Sequence, residues 1–77
     1  MNLSERLERR PDVLGGKPVV RGTRIPVSVL VGALAGGMTI EQVCASYRVT
    51  AEDVRAALSY AVEVLDEDRA LGGIPNR

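Results

Sequence analysis

Two helix-start signals placed close together constrain this chain more than any other feature of its sequence. Thr39 is followed on the third position by Gln42, and Thr50 on the third position by Asp53. In such a box the Thr hydroxyl accepts a backbone N–H of the first turn while the Gln or acidic side chain reaches back to the N–H of the cap. The first box predicts a short helix with Ile40, Val43 and Cys44 as its apolar stripe, ending near Tyr47. The second predicts a longer helix, with Glu52 adding negative charge to the favourable end of its dipole and Val54, Leu58, Ala61 and Leu65 facing inward as far as about Asp68. Only Arg48 and Val49 separate the two, which is the spacing of a helix-turn-helix, and Ala45 is small enough to let the helices approach.

Upstream, Val27, Val31, Leu34 and also Leu30 recur at helical spacing behind a Ser28 cap, and Gly36-Gly37 stops this first helix. The stretch from Val13 to Val27 differs in kind. β-Branched residues stand between glycines and prolines, as in a short hairpin or an extended arm, with Pro18 and Pro26 confined to strand ends because they lack a ladder donor. The organisation expected is an N-terminal arm over residues 1–12, a mainly α helix-turn-helix domain with its β element over 13–68, and a flexible tail over 69–77, where glycines and a proline prevent a helix.

A chain of 77 residues buries only about 60% of its unfolded surface. With Tyr47 and Tyr60 its only aromatics, the core must come from Val, Leu, Ile and Ala, so a homodimer is expected, with the N-terminal strands as its seam. The absence of His and the solitary Cys44, set in an apolar stripe, argue against an enzyme. Gly15-Gly16-Lys17 lacks the spacing and the following hydroxyl of a phosphate loop, and no cofactor or metal site is expected. No apolar run approaches the roughly 20 residues of a membrane span, and Glu5, Arg6, Glu8, Arg9 and Arg10 break up any leader-like segment, so the chain is expected to be cytoplasmic.

Net charge is zero, but the charges are segregated. Basic residues crowd between Arg6 and Arg24, and Glu63, Asp66, Glu67 and Asp68 make the far end acidic. On the helix-turn-helix reading the DNA contacts are Lys17, Arg21 and Arg24 from the glycine-rich segment, Arg48 from the turn, and Thr50, Arg55 and Ser59 from the third helix. The competing readings are structural: Arg24 clasped to backbone carbonyls or to Asp12, and Arg55 paired with Glu52 or Ser59. Glu52 and Asp53 weigh against placing that helix in a groove, since both would repel phosphate. The acidic end, with Leu65, Leu71 and Ile74, is the candidate surface for a protein partner.

The run from Asp12 to Val27, Gly36 to Val43, Tyr47, and Thr50 to Ala61 closely resembles the hallmark of domain-of-unknown-function family 433, over roughly residues 10–62. The resemblance implies a homeodomain-like three-helix core behind a short β element. It also implies a role as antitoxin of a type II toxin–antitoxin pair, neutralising a PIN-type nuclease-like toxin and repressing its own operator. The alternative is a protein-interaction module that sequesters a partner without touching DNA. At Arg48-Val49 the family often carries a proline and one more residue, so the turn here is shorter.

Overall fold

The computed structural model describes residues 2–70, with side chains described as far as residue 67. A 3-10 turn (Leu3–Arg6) leads into strand β1 (Leu7–Glu8), and a second 3-10 turn (Leu14–Gly16) precedes strand β2 (Val19–Val20). Helices α1 (Val27–Ala35), α2 (Ile40–Tyr47) and α3 (Ala51–Ala70) follow. The fold is thus mainly helical, with a two-stranded antiparallel ribbon at the N-terminal side.

The ribbon does not close within the glycine-rich stretch. β2 pairs with a strand from the N-terminal arm, Leu7 opposite Val20 and Glu8 opposite Val19, and its Val19 also bridges to Pro26. Both sides of β2 are thereby occupied, and Val19 and Val20 are buried. The ribbon therefore offers no open edge at β2 for the dimer seam expected there. A tight turn returns the chain from β2: Thr23 N–H donates to the Val20 carbonyl (2.9 Å) and Val20 N–H to the Ile25 carbonyl (2.9 Å), with Gly22 at φ 77° where a side chain would be strained.

Pro26, rather than Ser28, caps α1. Its φ of −69° suits a helix entrance, and the first helical N–H, from Val27, is satisfied by the Pro18 carbonyl at 3.0 Å, so no side-chain cap is needed. The helix ends in a Schellman arrangement: Gly37, at φ 106°, donates to the Leu34 carbonyl (3.0 Å) and Met38 to the Ala33 carbonyl (3.1 Å). The two Thr boxes form as their sequence requires. Thr39 and Gln42 cap each other at 3.1 and 2.8 Å, and Thr50 and Asp53 at 3.1 and 2.9 Å. Between them Arg48 adopts the left-handed conformation (φ 58°) that ends α2 and turns the chain into α3.

Leu30, Val43, Val54 and Ala57 are fully buried where the three helices meet, joined by Val20, Val27 and Val49. The inward face of α3 differs from the expected stripe. Asp53, Val54, Ala56 and Ala57 are buried, whereas Leu58 is 37% and Leu65 51% exposed. Small residues at positions 56 and 57 let neighbouring elements approach α3 closely, which turns the larger leucine to the margin. Ile40, at 40% exposure, likewise leaves the α2 stripe to Val43. Because α3 has twenty residues against nine and eight in α1 and α2, its distal turns outrun the core. Val62 and Leu65 are more than half exposed there.

Leu30 anchors this small core, and Leu30→Ala is expected to cost about 2–5 kcal/mol. Urea unfolding should show the midpoint falling with little change in slope; a loss below about 1 kcal/mol would mean that α1 is not packed as described.

Candidate functional site

The polar architecture centres on the start of α3. Asp53, 9% exposed, caps Thr50 and also accepts from the Arg6 guanidinium at 3.2 Å; Arg6 reaches the Thr50 hydroxyl as well, at 3.5 Å. The N-terminal arm is therefore tied to the helix that a helix-turn-helix would present to DNA. This removes one objection raised by the sequence, because the Asp53 carboxylate is turned inward and neutralised. Thr50 is correspondingly a cap whose hydroxyl is already engaged.

Most of the arm's positive charge is spent inside the domain. Arg21, expected at phosphate, donates to the carbonyls of Glu5 and Leu7 and lies 3.6 Å from the Glu8 carboxylate. Glu8 also holds Arg10 and the Gly22 N–H, and Arg10 donates to the Thr23 carbonyl at 3.0 Å. The clasp anticipated for Arg24 with Asp12 is thus built by Arg10 and Arg21 around Glu8. Arg9 donates to the Tyr60 hydroxyl and to the Gly16 carbonyl, with its guanidinium 5.7 Å from the Tyr60 ring centre.

Lys17, Arg24, Arg48 and Arg55 are exposed, and among the described residues none of their side chains makes an ion pair or hydrogen bond. Arg48 shares a hollow of about 280 Å³ with Arg6, Arg21 and Thr23, which brings two of the expected DNA contacts, Arg21 and Arg48, to one place. Lys17 lies elsewhere, on an apolar groove with Pro18, Pro26, Val31 and Val64. Ser59 lines a slot of about 340 Å³ between the first 3-10 turn and α3, together with Leu3, Leu7 and Glu63. It lines no hollow with Arg48, although it stands one turn beyond Arg55 on α3.

Of the expected partner surface, Glu63, Leu65, Asp66 and Glu67 are exposed on distal α3, and Asp66 has a partner within the chain. Asp68, Leu71 and Ile74 lie outside the described side chains. Sequence reasoning missed the apolar stripe of Leu58, Val62 and Leu65, exposed at 37, 56 and 51%. Its spacing of four and three was visible, but the same spacing also fits an inward face. Among the described residues no group of three His, Cys, Asp or Glu could hold a metal ion, and no helix is long and apolar enough to cross a membrane.

Comparison with known proteins gives one consistent answer. The family described as "Protein of unknown function (DUF433)" matches residues 7–61. An uncharacterised protein of Sinorhizobium fredii, y4eO, is 44% identical over 52 residues; the match takes in 66% of this chain and only 24% of that protein. The crystal structure of a DUF433 member from Anabaena variabilis superposes with a TM-score of 0.73 at 35% identity, over 87% of this chain and 68% of that one.

The division between spent and unspent cations is testable without a ligand. Arg21→Ala is expected to lower stability by about 1–2 kcal/mol through its lost hydrogen bonds, and Asp53→Ala by at least as much, since it removes a helix cap and strands Arg6. Arg48→Ala should leave the melting temperature nearly unchanged. Equal melting of the Arg21 and Arg48 variants would refute the division.

Proposed function

The chain belongs to the DUF433 family, and on that premise we propose that it is the antitoxin of a type II toxin–antitoxin pair, binding a PIN-type nuclease-like toxin through distal α3 and its own operator through the cations of the opposite end. The observation that carries this reading is the segregation of exposed charge. Arg24 and Arg48 have no described carboxylate to neutralise them, and Thr23, next to Arg24, lines the hollow with Arg48, while Glu63 and Glu67 are exposed on the far turns of α3; Lys17 lies instead beside Val64. A cationic end suits a phosphate backbone, and an acidic one suits the basic rim of a protein that itself handles nucleic acid. The helix-turn-helix spacing of α2 and α3 supports the DNA half.

The contacts differ from those of a helix reading bases along its N-terminal turns. Thr50 is a cap, Ser59 lines the slot beneath the arm, and Arg55 stands one turn before exposed Leu58. The DNA half rests on phosphate contacts by Arg24 and Arg48, which supply affinity and register more than sequence choice; Lys17, beside Val64, stands apart from them. A second reading, partner sequestration without DNA, is favoured by the internal use of Arg6, Arg10 and Arg21 and by the zero net charge.

Co-expression with the product of the neighbouring gene, which this reading requires to be a PIN-type nuclease, tests the toxin half. The two should co-purify and the nuclease activity should fall, and Glu63→Lys with Glu67→Lys should restore that activity. A nuclease indifferent to this chain refutes it. Operator binding measured across salt concentrations tests the DNA half: each of Arg24→Ala and Arg48→Ala is expected to lower the salt slope by about one unit, and Lys17→Ala to leave it nearly unchanged. Retention of toxin binding with no salt-dependent DNA binding would establish the sequestration reading instead.

A further inference from the structure

The most exposed apolar feature of the described chain is the stripe of Leu58, Val62 and Leu65 on α3, at 37, 56 and 51% exposure. These residues are spaced by four and three positions, so they form one seam along about two turns. On one flank lie Arg55 and Asp66, about three helical turns apart and therefore on the same side of the seam. The other flank carries Val54, Ala57 and Ala61, which face the domain body and are buried or half-buried. Glu63 and Glu67 fall farther round the helix, beyond Asp66.

This pattern is self-complementary in one orientation. When two helices cross antiparallel about a two-fold axis, the same flank of each copy meets, and residues equidistant from the axis on either side come opposite one another. An axis crossing α3 near Tyr60 and Ala61 sets Leu58 of one copy against Val62 of the other. The same axis sets Arg55 against Asp66. One symmetry position thus satisfies the apolar seam and the charge pair together, and Leu65 falls against the aliphatic stem of the opposing Arg55. Arg55 makes no ion pair with a described residue; Asp66 has an intrachain contact, and a carboxylate accepts more than one donor. A parallel pairing would bring opposite flanks together and leave Arg55 without an acid.

We propose that a second copy of this chain covers the α3 stripe, forming a two-fold antiparallel α3–α3 dimer whose register is set by reciprocal Arg55–Asp66 pairs. Apolar burial supplies the affinity, since exposed ion pairs contribute little, and the charges choose the orientation. The seam leaves Lys17, Arg24 and Arg48 on each copy outside it, and Glu63 and Glu67 on the far flank. The dimer depends on neither the operator nor the toxin, and it is measured in the absence of both.

Sedimentation of the full chain at micromolar concentration tests it. The wild type should run with the mass of two chains and Val62→Asp with the mass of one. Arg55→Glu alone and Asp66→Arg alone should each weaken dimerisation by about tenfold or more, because each replaces two pairs with two repulsions. The combined Arg55→Glu, Asp66→Arg chain should recover the wild-type dimer. This swap stays informative even where Val62→Asp does not fold, as it leaves the apolar seam intact. A monomeric wild type, a Val62→Asp dimer in folded protein, or a double swap that fails to restore association would each overturn the proposal. Covering of the stripe by the toxin alone would appear as the first of these.

Discussion

The carboxylate of Asp53 holds together parts of the chain that sequence places far apart. It closes the first turn of α3 by accepting the Thr50 N–H, and the same side chain receives Arg6 from the N-terminal arm. That second role adds to the Arg9–Tyr60 contact in drawing the 3-10 turn and β1 against α3, and β1 in turn supplies the partner that β2 needs. A buried acid left alone is costly, and so is an unpaired strand. Each solves the other's problem, which is how a chain with two aromatic residues and a valine-rich core orders so much of its length.

The same economy decides what the basic residues are available to do. Arg6, Arg9, Arg10 and Arg21 all act on the domain itself, tying carbonyls, Glu8, Asp53 and Tyr60. A count of positive charge in the N-terminal third therefore overstates its attraction for nucleic acid. What remains toward solvent is Lys17, Arg24, Arg48 and Arg55, few enough that each matters to an electrostatic function. Arg48 is the most informative of these. Its backbone is fixed in the left-handed turn between α2 and α3, so its position is set by the same geometry that makes the helix-turn-helix.

Local chemistry was legible in the sequence and tertiary choice was not. Both Thr boxes and the Gly36-Gly37 stop are short-range devices whose partners lie within a few residues, and each is found where it was read. Ser28 failed as a cap because the helix starts before it, at Val27, whose N–H goes to the Pro18 carbonyl, distant in sequence. Arg21 looked like a phosphate contact because its carbonyl partners at Glu5 and Leu7 carry no sequence signature at all. Leu58 and Leu65 read as core because helical spacing identifies a stripe without saying which stripe the body of the protein will cover. The family resemblance located the domain, and it carried no information about which cations remain free.

α3 is longer than folding this domain requires. Its first two turns, with Asp53, Val54 and Ala57, complete the core; a helix ending near Tyr60 would already bury them. The turns beyond Tyr60 carry Val62, Val64 and Leu65 into solvent at 38–56% exposure, an arrangement that costs solubility and returns little to an isolated monomer. Polar residues at those positions would serve a solitary helix better. Apolar residues there, alongside Glu63 and Glu67, make a surface suited to another protein chain. The end of α3 that is capped and clamped lies beside Arg48 and the hollow lined by Arg6, Arg21, Glu5 and Asp53, while the end that outruns the core carries the exposed apolar residues. Any partner that bends or shifts the distal turns acts on a helix whose opposite end is anchored through Asp53 to the arm.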